Sequence, residues 1–128
     1  MNKNYKHRDE LLKPFFCESS EKDYDILRFD NLTLEVFGDL IYYQYVELNG
    51  CFNSSPTTLQ FFNFMAKYPK IMAHGYVVTP KRQDCRITIE GLEGQGKFGQ
   101  KIKKAFKDFC KDADEQIIKT DILYCWWD

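Results

Sequence analysis

The chain reads as an α+β protein, a single domain built on an antiparallel sheet, and three observations predict this. Segments with apolar residues at alternate positions are interleaved with segments whose apolar residues recur at helical spacing. At 128 residues, with 44% hydrophobic and 29% charged content, the chain suits one core of ordinary size. The remaining oddity is an aromatic surplus of 16%, mainly from 11 Phe and 8 Tyr, which is more ring surface than a small sheet with two helices needs.

Tyr5 to Cys17 sets Leu11, Leu12, Phe15 and Phe16 among charges, predicting a short N-terminal helix that Pro14 bends or ends. With the polar connection to Lys22 it forms a mobile extension of the domain. Tyr24 to Phe29 and Leu32 to Phe37 read as strands, and Gly38-Asp39 as a two-residue turn into a strand over Leu40 to Leu48. That register places Leu34, Val36, Ile41 and Tyr43 on the core face and turns Tyr42 outward.

Ser54-Ser55-Pro56 starts a helix, with Ser55 as N-cap and Pro56 at the first helical position, and Pro69 stops it after Tyr68. Its polar strip is so narrow that burial on more than one side follows. Ile71 to Thr79 and Cys85 to Gly91 read as a hairpin across Pro80 to Asp84, and Gly91 to Gly99 as a glycine-rich loop. From Lys97 to about Ala113, Ile102, Phe106 and Phe109 separate from six lysines at helical spacing. Ile117 to Trp127 closes the domain as a strand.

From Leu40 onward the order is the ferredoxin-like βαββαβ arrangement, to which the N-terminal helix and first hairpin are extensions. The order resembles that of RNA-recognition domains and of small amino-acid-sensing regulatory domains over roughly two thirds of the chain. No motif of either stands behind it. Where base-stacking aromatics would be needed, the third strand offers Arg86, Thr88 and Glu90.

Eighteen basic against nineteen acidic residues leave a formal charge of −1, so no global field draws in nucleic acid. The charged N-terminal residues lack the apolar core of a signal peptide, and no apolar run reaches membrane-spanning length. Five cysteines without a Cys-x-x-Cys pair fit neither a disulfide framework nor a zinc site, and suit free thiols in a cytoplasmic protein. No cofactor and no metal are expected.

Gly94-x-Gly96-x-x-Gly99 with Lys97 could present backbone N–H groups to an anion, or could simply be a connection. The lysine face of the last helix reads as solvated, because Asp108, Asp112, Asp114 and Glu115 dilute it. His74 could meet Cys85 across the hairpin as base and nucleophile, although no third residue orients the ring and a structural histidine is commoner. Glu90 and Glu93 read as solvent-facing loop acids, with nothing to desolvate them.

Two functions from different classes follow. One is a non-enzymatic module that forms a homo-oligomer, a dimer, or binds a protein partner through Tyr42, Tyr76, Phe61, Phe64, Trp126 or Trp127. The other is a small-molecule or anion pocket between sheet and helices near Gly94 to Gly99, with His74 or Arg86 as its polar handle.

Overall fold

The structure, a computed structural model, describes residues 2–17, 26–51, 54–78 and 86–128. The expected turn Pro80 to Asp84, and Cys85 with it, lie outside the described residues. Helix α1 spans Tyr5–Leu12, with the Asn4 side chain accepting from the His7 N–H, and passes into a 3-10 turn at Lys13–Phe15 where Pro14 stands. Strand β1 (Ile26–Leu32) leads into α2 (Leu34–Tyr42), then α3 (Thr58–Lys67), β2 (Met72–Val78) and β3 (Ile87–Gln95). Helix α4 (Gln100–Phe109) and the strands β4 (Glu115–Ile118) and β5 (Ile122–Trp126) complete the order.

The five strands form one antiparallel sheet in the order β1-β2-β3-β5-β4. This is not the ferredoxin-like arrangement, because strand count and order both differ. The physical reason lies in α2. Leu34, Phe37, Leu40 and Ile41 share one helical face, and the Thr33 side chain accepts from the Val36 N–H as an N-cap. The expected strands Leu32 to Phe37 and Leu40 to Leu48, and the turn at Gly38-Asp39, are therefore absent. Two helices between β1 and β2 cross the sheet twice and return the chain to the end it left, so β2 runs antiparallel beside β1. Only α4 makes a single crossover: β3 and β4 both run antiparallel to β5, which lies between them.

Alternate strand residues, among them Phe29, Ala73, Val77, Leu92, Leu123 and Trp127, face the helices and join Phe37, Leu40, Phe61, Met65 and Phe106 in one core. Rings knit the helical layer. Phe37 meets Phe62 at 5.4 Å between centroids, Phe64 meets Phe109 at 4.6 Å, and Phe61 meets Trp127 at 5.5 Å. Helix α1 joins through buried Leu12 and through Arg8, a buried cation whose Nη2 donates to the Val78 carbonyl at 3.3 Å.

Further boundaries differ from expectation for local reasons. Helix α3 is capped by Thr57 rather than Ser55: Thr57 Oγ accepts from the Gln60 N–H at 3.2 Å and the Gln60 side chain accepts from the Thr57 N–H at 2.8 Å. The closing strand is a hairpin, turned by Lys119, Thr120 and Asp121, and Ile122 is exposed. Helix α4 begins at Gln100, because β3 runs on through the glycines to Gln95.

Candidate functional site

Residues of the other strand parity build the sheet face that no described helix covers: Arg28 on β1, His74 and Tyr76 on β2, Thr88, Glu90 and Glu93 on β3, Tyr124 and Trp126 on β5. Two breaks in the ladders shape it. The β2–β3 register shifts between His74 and Gly75, so that Glu90 has no opposite residue. The β1–β2 register shifts between Phe29 and Leu32, where Asn31 takes φ 58.

At the first bulge Gly91 sits opposite His74, and its missing side chain lets the imidazole lie across β3 toward β5. His74 Nε2 is 2.9 Å from the Cys125 carbonyl oxygen. A carbonyl only accepts, so Nε2 carries the proton. The ring stacks on Tyr124 at 5.1 Å with an interplanar angle of 4°. Beside it, Glu90 is held from two sides: Arg28 Nη1 donates to Oε1 at 2.7 Å and Trp126 Nε1 donates to Oε2 at 3.2 Å. The Arg28 guanidinium lies 5.8 Å from the Tyr76 ring centroid, and Arg86 donates to Tyr76 Oη and Thr88 Oγ.

At the second bulge the Asn31 N–H donates to Glu93 Oε2 at 3.1 Å, and Cys17 Sγ donates to Asp30 Oδ2 at 3.0 Å. Burial pushes the Cys17 thiol up to about 12, helped by its bond to Asp30 and by that carboxylate's charge. The thiol is therefore protonated at neutral pH, which slows its reactions. Burial also raises Glu93 above the ordinary carboxylate range, against the Asn31 bond and the field of His74. Glu90 and Glu93 are thus strand residues sheltered by neighbours, contrary to their reading as solvated loop acids. Among the described residues, no His, Cys, Asp and Glu group could hold a metal.

Two predictions arise here. Because Glu93 has a raised pKa in the fold, it binds its proton at higher pH folded than unfolded, so its charge destabilises at neutral pH and the penalty fades as pH falls through its folded pKa. Glu93→Gln should unfold at higher urea than wild type at pH 7, with the gap closing toward pH 4, in dilute samples. Among the described cysteines, exposed Cys51 should alkylate first under native conditions and buried Cys110 and Cys125 last, with Cys17 slow despite its partial exposure, as read by peptide mass spectrometry.

The remaining candidates from sequence fall in different places. Phe61 and Trp127 are core residues, 1% and 3% exposed, and Phe64 lies half-buried in the seam of α3 and α4. Trp127 Nε1 is buried and meets no acceptor among the described residues. Tyr42 is 77% exposed at the end of α2, in edge contact with Tyr43, away from the sheet face. His7 is anchored, its Nδ1 2.6 Å from Tyr45 Oη, rather than carried on a mobile extension. Gly94 lies within β3 and Gly99 is the N-cap of α4. The N–H groups of Gly96 and Phe98 donate to the Asp121 and Thr120 carbonyls, and so are spent within the fold. Lys97 is exposed beside them.

A cavity of about 240 Å³ lies between the start of β3 and α3, lined by Tyr45, Val46, Thr58, Phe61, Arg86 and Ile89 among others. It sits at the opposite end of β3 from Gly94. Tyr124 escaped sequence reasoning although it alternates with Trp126 on β5, and Asp30 and Cys17 did so because their contact forms at the β1 bulge.

Fold and face together define a small α+β protein with a preformed polar and aromatic sheet surface. Set against protein-family models, curated proteins and solved structures, the chain matches none of them. No helix among the described residues is long and apolar enough to cross a membrane.

Proposed function

We propose that the protein is a non-enzymatic binding module that self-associates, stacking the sheet face that no described helix covers on that of a second copy. The polarity of that face carries the reading. Arg28 and Arg86 lie toward the end where β3 begins, with Tyr76 directly opposite Arg28; Asp30 and Glu93 lie further toward the end where β3 finishes, and Trp126, opposite Gly91, falls between Arg86 and Glu93. A two-fold axis running across the strands, in the plane of contact, reverses strand direction and sets Arg86 against Glu93 and Arg28 against Asp30 of the second copy.

Five strands about 4.8 Å apart and on the order of 20 Å long offer roughly 500 Å² per copy, the lower bound for a specific interface. Half-buried Tyr76, Tyr124 and Trp126 are the ring types that interfaces favour. His74 enters as a structural element, since its proton-bearing nitrogen is committed to Cys125. The free cysteines suit a cytoplasmic setting.

Sedimentation velocity tests this. The wild type should dimerise at high micromolar concentration, Arg86→Glu and Glu93→Lys should each be monomeric, and their equimolar mixture should dimerise, because both contacts are then complementary. A wild type that stays monomeric, or a mixture that does, overturns it.

The cavity at the start of β3 favours a second reading, a site for a small molecule or anion with Arg86 as its polar handle. A thermal-shift screen with nucleotides, amino acids and phosphates separates the two, since a ligand of the folded state raises its stability by mass action. A shift abolished by Arg86→Ala supports the cavity, and the absence of any shift removes it.

A further inference from the structure

We infer that the groove between α4 and the β4–β5 turn is a binding site for a compact ligand bearing several adjacent phosphates. Lys103, Lys104 and Lys107 from α4 and Lys119 from the turn line one cleft of about 460 Å³, with Gln100 and Thr120 as neutral donors. The four cations come from two elements that are locked together. Gly96 and Phe98 donate their N–H groups to the Asp121 and Thr120 carbonyls at 3.0 and 3.1 Å, and Lys119 donates its N–H to Ile122 at 2.9 Å. The glycine-rich segment thus builds the groove by fastening the turn to the start of α4, rather than cradling an anion itself.

Charge compensation is missing where it would be expected. None of the four ammonium groups forms an ion pair among the described residues, whose pairs are Arg8 with Asp9 and Arg28 with Glu90. No acid lines the cleft, and the first turn of α4 holds none. Asp108 follows Lys104 by one turn on α4 but lies outside the lining, as do Asp112, beyond the end of the helix, and Asp121 in the turn. Lys103 and Lys107, four apart on one helix, repel each other. A solvated helical face normally intersperses both signs, whereas this concavity concentrates one.

A lysine ammonium is a point charge with three rotatable donors, suited to the clustered oxygens of linked phosphates rather than to a planar carboxylate. Linked phosphates also occur in nucleic acid. The groove is walled by α4 on one side and the end of β4 on the other, which fits a short ligand.

Isothermal titration of the full chain with inorganic tripolyphosphate, and separately with a short single-stranded oligonucleotide, tests this. Tripolyphosphate should bind one per chain, with affinity falling as salt rises. Lys103→Glu combined with Lys107→Glu should weaken it at least about tenfold, while Lys6→Glu with Lys13→Glu on the N-terminal segment leaves it unchanged. An unchanged melting temperature shows that the double variant is folded. Equal binding by wild type and the groove variant, or no binding by wild type, overturns the site. An oligonucleotide that binds the groove more tightly than tripolyphosphate overturns the compact ligand and assigns the groove to nucleic acid.

Discussion

Gly91→Ala is expected to cost about 4 kcal/mol of folding stability, or to prevent folding, although it adds a single methyl group. A Cβ there would stand 1.9 Å from the Cys125 carbonyl oxygen and 2.6 Å from His74 Nε2. Neither neighbour can give way cheaply: the oxygen belongs to the backbone of the paired strand, and the imidazole is fixed by that same oxygen and by the Tyr124 ring. Two other glycines calibrate the effect. Gly99→Ala meets nothing within 4 Å at an ordinary φ of −73, and should be close to neutral. Gly96→Ala also meets nothing, but its φ of 133 suits only glycine, so backbone strain of about 1–3 kcal/mol is expected. Urea denaturation of the three variants, with m-values checked for two-state behaviour, reads all of this directly. If Gly91→Ala proved no worse than Gly99→Ala, the imidazole could not lie where the candidate site requires it.

The same bulge explains which parts of the molecule could be read from sequence. Periodicity identified α4 and α3, and Pro14 and Pro69 marked helix ends, because side-chain direction and missing N–H groups act locally. Around α2 the same residues fit two periods. Leu32, Leu34, Val36, Ile41 and Tyr43 fit a two-residue period, while Leu34, Phe37, Leu40 and Ile41 fit a helix. Gly38-Asp39 favours a turn. In the fold Gly38 lies inside α2, where a Cβ would meet the Phe62 ring at an ordinary contact distance of 3.7 Å. The N-cap Thr33 was the available signal for the helix. Splitting of Trp126 and Trp127 between the two faces follows from strand alternation. Glu90 and the His74 ring that stacks on Tyr124 owe their setting to the β2–β3 register shift, and a shift is fixed by contacts between strands far apart in sequence.

Arg28→Ala should destabilise the protein more than Glu90→Gln, the reverse of what exposure suggests. The Arg28 side chain is 56% exposed and that of Glu90 only 8%. Truncating an exposed residue usually costs little, but here it strands a buried carboxylate with the Trp126 N–H as its remaining partner among those described, at a cost of about 3 kcal/mol. Glu90→Gln keeps an oxygen that can accept from Trp126 or Arg28 and lets the guanidinium turn to water, so about 1–2 kcal/mol is expected. The two changes must then be non-additive: Arg28→Ala with Glu90→Gln should be more stable than Arg28→Ala alone, because no unpaired charge is left inside. A double-mutant cycle by chemical denaturation in dilute samples measures the difference. Additive losses would mean that Arg28 acts through its contact with the Tyr76 ring rather than through the carboxylate, and the fixed anion at the centre of the proposed interface would lose its support.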